Sequence, residues 1–276
     1  MIVEKADLHT HSTCSDGTFS PRELIVRAKE VGLTGLSITD HDTIAAYPEA
    51  FSIAKEHNIA LIPGVELSCF QNRETVHILG YSFDPQSDIM LESTSLQRLR
   101  RLERNREILK KLKSFKMPLE ESDISSSDHP TYAYGRVHIA MAMVSKGYVA
   151  SVVDAFRLYL GDKKSCYVEG AKWSVEEGID IIRRSKGLAV LAHPHLISSA
   201  SVRKKMLQMP FDGIEAYYSR ACMRDNEKWL QAASKNGWFV TGGSDFHGDI
   251  KPDISLGCSY TPPEVFVMLQ EHFHGL

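Results

Sequence analysis

Over residues 6–17 the chain reads "ADLHTHSTCSDG", two histidines spaced two apart behind an aspartate. In a strand, residues i and i+2 point the same way, so Asp7, His9 and His11 share one face. Histidine is neither a strong strand former nor an ordinary core filler. Imidazoles beside carboxylates are metal donors. An isolated His-x-His is more often a polar strand, so the metal reading needs further ligands elsewhere.

Such residues recur in "TDHD" (Asp40, His41, Asp42), "GVELS" (Glu66), "TVHILGYSF" (His77), "LAHPH" (His193, His195) and "GGSDFHG" (Asp245, His247). Most of these follow or end a short apolar run that reads as a strand. Between them lie helical patterns. "SPRELIVRAKEVG" carries Ser20 as N-cap, Pro21 at the first helical position and Gly32 as the stop. "TIAAYPEAFSIAKEHN" is a second helix and "IALIPGVELS" a third strand, and the rhythm returns from "VEEGIDIIRRSK" to "WFVTGGSD". Repeated βα units predict a parallel sheet, and about seven strands favour a closed barrel. The C-terminal strand ends of a barrel form one mouth, where these six segments would converge.

Histidine plus carboxylate, without clustered thiolates, suits Zn²⁺, Mn²⁺ or Fe²⁺. The donors outnumber what one ion needs, which implies more than one metal. Sites of that kind activate water as hydroxide and hold both ends of an in-line displacement at phosphorus. Asp7, Asp40 and Asp42 read as partners that orient ligand imidazoles rather than as ligands.

From 85 to 168 the βα rhythm stops. "LQRLRRLERNREILKKLKSF" places Leu99, Leu102, Leu109, Leu112 and Phe115 at helical spacing, and "GRVHIAMAMVSKG" and "SVVDAFRLYLG" are further helical patterns. This is an all-helical insert mounted on a barrel formed by 1–84 and 169–276. "SDISSSD" at 122–128 reads as a loop.

The composition, 43% hydrophobic and 24% charged over 276 residues, is that of a globular protein with an ample core. A net charge of −3 argues against a protein that coats nucleic acid, though not against a local basic patch. No apolar run is long enough for a membrane span, and no leader is read at the N-terminus. Five cysteines without CxxC spacing fit a reducing compartment, with cytoplasm as the default.

The motifs "DLHTHSTCSDG", "TDHD", "GVELS", "HILGY", "AHP" and "GSDFHG" resemble, in order, those of the PHP (polymerase and histidinol phosphatase) family. The resemblance implies a distorted (β/α)7 TIM-like barrel with three divalent ions, Mn²⁺ first, with Zn²⁺ or Fe²⁺ as alternatives. By position, His9, His11, Glu66 and Asp245 would hold one ion, and Glu66, His77 and His193 a second. Asp16, His41 and His247 would hold the third. Glu66, Asp245 and His193 would be the core of the catalytic set.

The insert is similar to that of the TrpH-like branch, which includes nucleoside 3′,5′-bisphosphate phosphatases and a 5′→3′ exoribonuclease. Its R-x-H falls on Arg136 and His138, which by that resemblance contact the substrate phosphate. An arginine fork suits phosphate oxygens, although both residues could equally be surface positions. His195 departs from the branch, which commonly has glycine there. Lys164 and Arg220 read as surface charges within reach of a second phosphate.

The basic stretch from Gln97 to Lys116 is either a solvated face or a guide for a polyanion. The expected function is a phosphoesterase acting on a nucleotide or short RNA, with no membrane and no obligate protein partner. The alternatives are histidinol-phosphate phosphatase, a polymerase-associated proofreading or binding module, and a metal-dependent amide hydrolase.

Overall fold

The computed structural model describes residues 4–72, 74–124 and 132–276. Two sheets carry the site. In the first, β1 (Ala6–Thr10), β2 (Gly35–Ile38) and β3 (Ala60–Leu61) run parallel in that order. The second comprises β4 (Gly64–Gln71), β5 (Glu74–Tyr81), β6 (Trp173–Ser174), β7 (Leu188–Leu191), β8 (Gly213–Tyr218) and β9 (Phe239–Gly243). Its spatial order is β6-β4-β5-β7-β8-β9. The fold is therefore α/β, with one parallel and one mixed sheet.

Two local features depart from a uniform βα rhythm. β5 is antiparallel to both β4 and β7, because the two residues between β4 and β5 are too few for a helical crossover. "IALIPGVELS" is two strands rather than one, split at Ile62 and Pro63, where proline has no N–H to give the ladder.

Isolated parallel bridges join Thr10 to Phe246 and His41 to Glu66, carrying the first sheet against the second on both sides. The helices Pro21–Glu30, Tyr47–Glu56 and Val175–Arg184 bury apolar faces over the sheets. Ser20 and Ser174 cap two of them reciprocally with Glu23 and Glu177, as the S-x-x-E spacing demands. A C-terminal helix, Pro263–His274, not read from the sequence, packs Phe266 and Leu269 against β1 and β5 residues such as Leu8 and Leu79.

The insert has its own apolar cluster, which includes Ile108, Leu112, Ile139, Met143, Ala155 and Leu160. Its long helix, Asp88–Ser114, belongs to both bodies. Met90 joins the main core and Leu112 the insert's core. Leu99 and Phe115 are 49% and 48% exposed, contrary to the stripe expected from the sequence. The inward face instead runs through Gln97, Arg101, Arg104, Asn105, Ile108 and Leu112, polar where it borders the site and apolar beyond it. Part of the expected loop at 122–128 is the end of a short helix, Glu121–Ile124, and 125–128 lie outside the described residues.

Candidate metal centre

β1 delivers His9, and the residues just past it deliver His11 and Asp16. His41 follows β2, Glu66 lies on β4 and His77 on β5. His193 follows β7, and Asp245 and His247 follow β9. These nine residues meet at one place. Glu66 sits at the centre, 1% exposed. Its Oε1 lies 2.7 Å from His77 Nδ1 and 2.9 Å from His193 Nε2. Its Oε2 lies 3.3 Å from His9 Nε2, 3.2 Å from His11 Nε2 and 3.1 Å from His41 Nδ1. Asp245 Oδ1 is 3.5 Å from His9 Nε2 and 3.3 Å from His11 Nε2. Asp16 Oδ1 approaches His247 Nε2 at 3.4 Å and His11 Nδ1 at 3.6 Å.

Three groups have donor atoms close enough to hold an ion: His9, His11, Glu66 and Asp245; His41, Glu66 and His77; and His11, Asp16, His41 and His247. The first is the set implied by the resemblance. His41 differs, because one ring nitrogen faces Glu66 and the other approaches Asp16 at 3.9 Å, so it borders two groups. His9 Nε2, His11 Nε2, His41 Nδ1 and Glu66 Oε2 are all buried without a hydrogen-bond partner. Orphaned donors aimed at a shared point fit metal ions, since buried polar atoms otherwise find partners.

The electrostatics agree. Burial works against charge on Glu66, yet His41, His77 and His9 hold its carboxyl well below the usual range. Asp16 and Asp245 are likewise held ionised against burial, by His41 and His247 in one case and by Lys251, His247 and His9 in the other. Burial lowers His41 to about 3 and lowers His77 and His247, leaving neutral rings with free lone pairs. His9 and His11 are carried up despite burial, His11 to about 9, by the carboxylates around them. Positive charge is wanted between these atoms, and a bound cation supplies it in place of protons.

The backbone is unusual at two of these residues. His193 and Asp245 have φ of 21° and 55°, strained values for residues with side chains. Gly243 admits β1 closely, since a Cβ there would lie 2.3 Å from His9 Cβ. Gly17 of "SDG" is constrained in the same way, since a Cβ there would lie 2.2 Å from the His11 carbonyl oxygen.

The three aspartates expected to orient imidazoles do other work. Asp7 accepts from the backbone N–H groups of His9, Ser244 and Gly257. Asp40 accepts from the hydroxyls of Ser12 and Ser15. Asp42 pairs with Arg101. A carboxylate that does orient an imidazole is Glu215, which sequence reasoning missed; its signal was a lone carboxylate inside the apolar strand "GIEAYY". Tyr218 Oη and Lys251 Nζ both donate to Asp245 Oδ2, at 3.0 and 2.7 Å, leaving Oδ1 toward the histidines.

The remaining candidates stand outside the donor groups. Arg136 Nη1 donates to Asp162 Oδ1 at 3.0 Å and to the Leu160 carbonyl at 3.2 Å. His138 Nδ1 accepts the Gly135 N–H at 3.1 Å, and its ring also bonds the Ser15 backbone, beside Asp16. His195 is not a solvated ring. It stacks on Tyr218 and meets Asn226 Oδ1 at 3.2 Å through Nε2. Arg220 pairs with Asp253, and Lys164 is exposed.

Fold and donor groups define a metal-dependent phosphoesterase, a hydrolase. The chain matches the PHP domain over residues 7–182 and belongs to that family. It is 34% identical over 260 residues to the 5′-3′ exoribonuclease Rnm of Escherichia coli K12, covering 91% of this chain and 87% of that one. It is 32% identical over 247 residues to a 3′,5′-nucleoside bisphosphate phosphatase of Chromobacterium violaceum, covering 87% and 86%. A solved protein of Bifidobacterium adolescentis, assigned as a metal-dependent phosphoesterase, superposes with a TM-score of 0.88 at 29% identity over 97% and 96% of the two chains. DNA polymerases match in part only, over 65, 69 and 87 residues. No helix among the described residues is long and apolar enough to cross a membrane.

Proposed function

We propose that this enzyme removes the 3′-phosphate of nucleoside 3′,5′-bisphosphates and shortens 5′-phosphorylated RNA from its 5′ end. The observation that carries this reading is the extent of the match to the exoribonuclease and the bisphosphate phosphatase. It spans 91% and 87% of the chain and so takes in the insert as well as the metal ligands. Histidinol phosphate is the alternative substrate that the same ligands would serve.

The donor groups support three ions, Mn²⁺ first. His9, His11, Glu66 and Asp245 would hold one, Glu66, His77 and His193 a second, and Asp16, His41 and His247 a third. Divalent ions supply Lewis acidity toward phosphoryl oxygens and a water acidic enough to act as nucleophile near neutral pH. The protein's part is placement. Glu215 accepts a hydrogen bond from His9 Nδ1–H, which leaves Nε2 free toward Glu66 and Asp245. Tyr218 and Lys251 fix the rotation of Asp245. Arg136 would exchange Asp162 for a substrate phosphate, with His138 beside it.

The two sheets are read as halves of one distorted seven-stranded barrel, supported by the Thr10–Phe246 and His41–Glu66 bridges. Residues 85–168 would be the insert domain that contributes substrate contacts. Free Cys14, Cys69 and Cys166, all buried, fit a reducing cytoplasm.

The test is a turnover panel on Mn²⁺-loaded protein with nucleoside 3′,5′-bisphosphate, 5′-phosphorylated RNA and histidinol phosphate, together with elemental analysis. The first two should be the good substrates, at about three ions per chain. Preference for histidinol phosphate, or full activity with one ion, would overturn the reading.

A further inference from the structure

Of the two histidines in "HPH", His193 faces Glu66, while His195 stands outside every donor group. The two nevertheless meet on one side chain. After β7 the chain turns through the short 3-10 segment Pro194–Leu196, which sets both rings against Tyr218 at the end of β8. His193 makes a T-shaped contact with the Tyr218 ring, 5.6 Å between centroids and 62° between planes. His195 lies over the same ring at 5.9 Å and 21°. Tyr218 is buried between them.

The pincer aims the phenol. Tyr218 Oη donates to Asp245 Oδ2 at 3.0 Å, while Asp245 Oδ1 approaches His9 and His11. The hydroxyl sits at the far end of the ring, so a small swing of the ring carries it out of hydrogen-bond range. Lys251, the other donor to Oδ2, is part-exposed and ends a flexible stem. It supplies charge without fixing a direction. The direction comes from Tyr218.

His195 is itself held from behind. Its Nε2–H donates to Asn226 Oδ1 at 3.2 Å, and its ring meets the Trp229 ring at 5.8 Å and 74°. Asn226 and Trp229 are three residues apart on the helix Met223–Asn236 and so share a face, and Trp229 belongs to the main core. A continuous line of contacts therefore runs from that helix through His195 and Tyr218 to Asp245.

We propose that His195 is a positioning residue: it braces Tyr218 so that the phenol holds Asp245 Oδ2 and turns Oδ1 toward the His9–His11–Glu66 donor group. It touches neither ion nor substrate. The inference rests on the metal-centre reading and deepens it. What the position requires is a flat ring, since ring stacking is what His195 offers to Tyr218. Removing that ring should weaken ion binding although residue 195 is no ligand, as happens when groups that orient ligands are lost.

The experiment titrates metal-free protein with Mn²⁺ against a fluorescent chelator, so its readout is affinity rather than turnover. Two variants divide the side chain. His195→Gln removes the ring and keeps an N–H for Asn226; His195→Phe keeps a flat ring and loses that N–H. His195→Gln should weaken the affinity by about tenfold, and His195→Phe should stay within about twofold of wild type. Any other pattern, whether both variants normal, both impaired, or only His195→Phe impaired, would overturn the brace.

A double-mutant cycle tests the route. Tyr218→Phe should weaken Mn²⁺ binding by about 10–100-fold, because it removes the donor to Asp245 directly. Adding His195→Gln to Tyr218→Phe should then change nothing, since the brace has no hydroxyl left to aim. Losses that add would mean that His195 acts by another path, and would overturn the proposal. Wild type that takes up no divalent ion would overturn the metal-centre reading and the brace with it; wild type and His195→Gln that bind ions equally would overturn the brace alone.

Discussion

Glu215 and His9 are joined by a 2.8 Å hydrogen bond from Nδ1 to Oε1, with both side chains fully buried. The other carboxylate oxygen accepts the His193 backbone N–H at 2.8 Å. One side chain on β8 therefore sets a candidate ligand on β1 and the strained turn that carries His193 after β7. Glu215→Gln keeps the shape but offers no second acceptor oxygen and no charge. Metal affinity should fall by about 10–100-fold, as for other residues that orient ligands. Competition with a fluorescent chelator measures this, and unchanged affinity would show that Glu215 serves packing alone.

Glu66 touches His9, His11, His41, His77 and His193. Glu66→Gln should therefore remove more than one ion per chain and abolish turnover of every substrate in parallel. Elemental analysis after gel filtration reads the outcome. Loss of a single ion, with activity retained on any substrate, would contradict a shared bridging role.

Arg136→Ala tests the insert. Its side chain is 22% exposed, tied to Asp162 and near the Tyr167 ring. If it exchanges that carboxylate for phosphate, metal content should be normal and kcat/KM on phosphate esters should drop by about 10–100-fold, the value of a charge-assisted fork. Wild-type kinetics on all esters would leave Arg136 as a structural ion pair.

The residues of the donor groups stand out in the sequence because most are polar residues of unusual type within or just after an apolar run. That signal is local. No one of His9, His11, Glu66, His77 and Asp245 is decisive alone; it is their recurrence across six segments that marks the site. The β4–β5 hairpin was harder to see, since a buried antiparallel strand and a buried parallel one have the same apolar composition. The long helix misled for another reason. Its leucine spacing suggested one apolar stripe, but tertiary packing turned Arg101 and Arg104 inward, toward Asp42 and Gly170, and left Leu99 in solvent. Asp42 carried no sign of its partner, because Arg101 lies 59 residues away.

Lys172 gives a pH signature. Burial, with Arg136, Arg104 and Arg101 around it and Asp42 opposing, lowers it from 10.5 to about 8. A cation depressed in the folded state contributes stability above its unfolded value that is lost as pH falls through the folded one. The unliganded protein should therefore gain stability between about pH 8 and pH 10.5, and Lys172→Met should flatten that gain. Melting curves across pH 7–10.5 decide; identical profiles for wild type and Lys172→Met would exclude a depressed Lys172.

The outer face of the long helix poses the last question, whether its charge guides RNA. Arg100 stacks over the Trp173 ring at 4.2 Å, Arg101 binds Asp42, and Arg104 is half-buried with its Nε shielded, so none of them reports on solvent-facing charge. Lys110 and Lys113 are exposed and do. If this face attracts a polyanion, oligonucleotide turnover should fall steeply with salt, because each neutralised phosphate releases counterions. Exchanging both lysines for glutamine, which keeps helix propensity, should make that slope shallower by about one to two and leave the salt response of 3′,5′-bisphosphate turnover as it was. A bisphosphate spans too short a distance to reach both the metal centre and a remote helix face. An unchanged oligonucleotide slope would mark this face as solvated charge, and selection for nucleic acid would then reside wholly at the metal centre and its neighbouring cations.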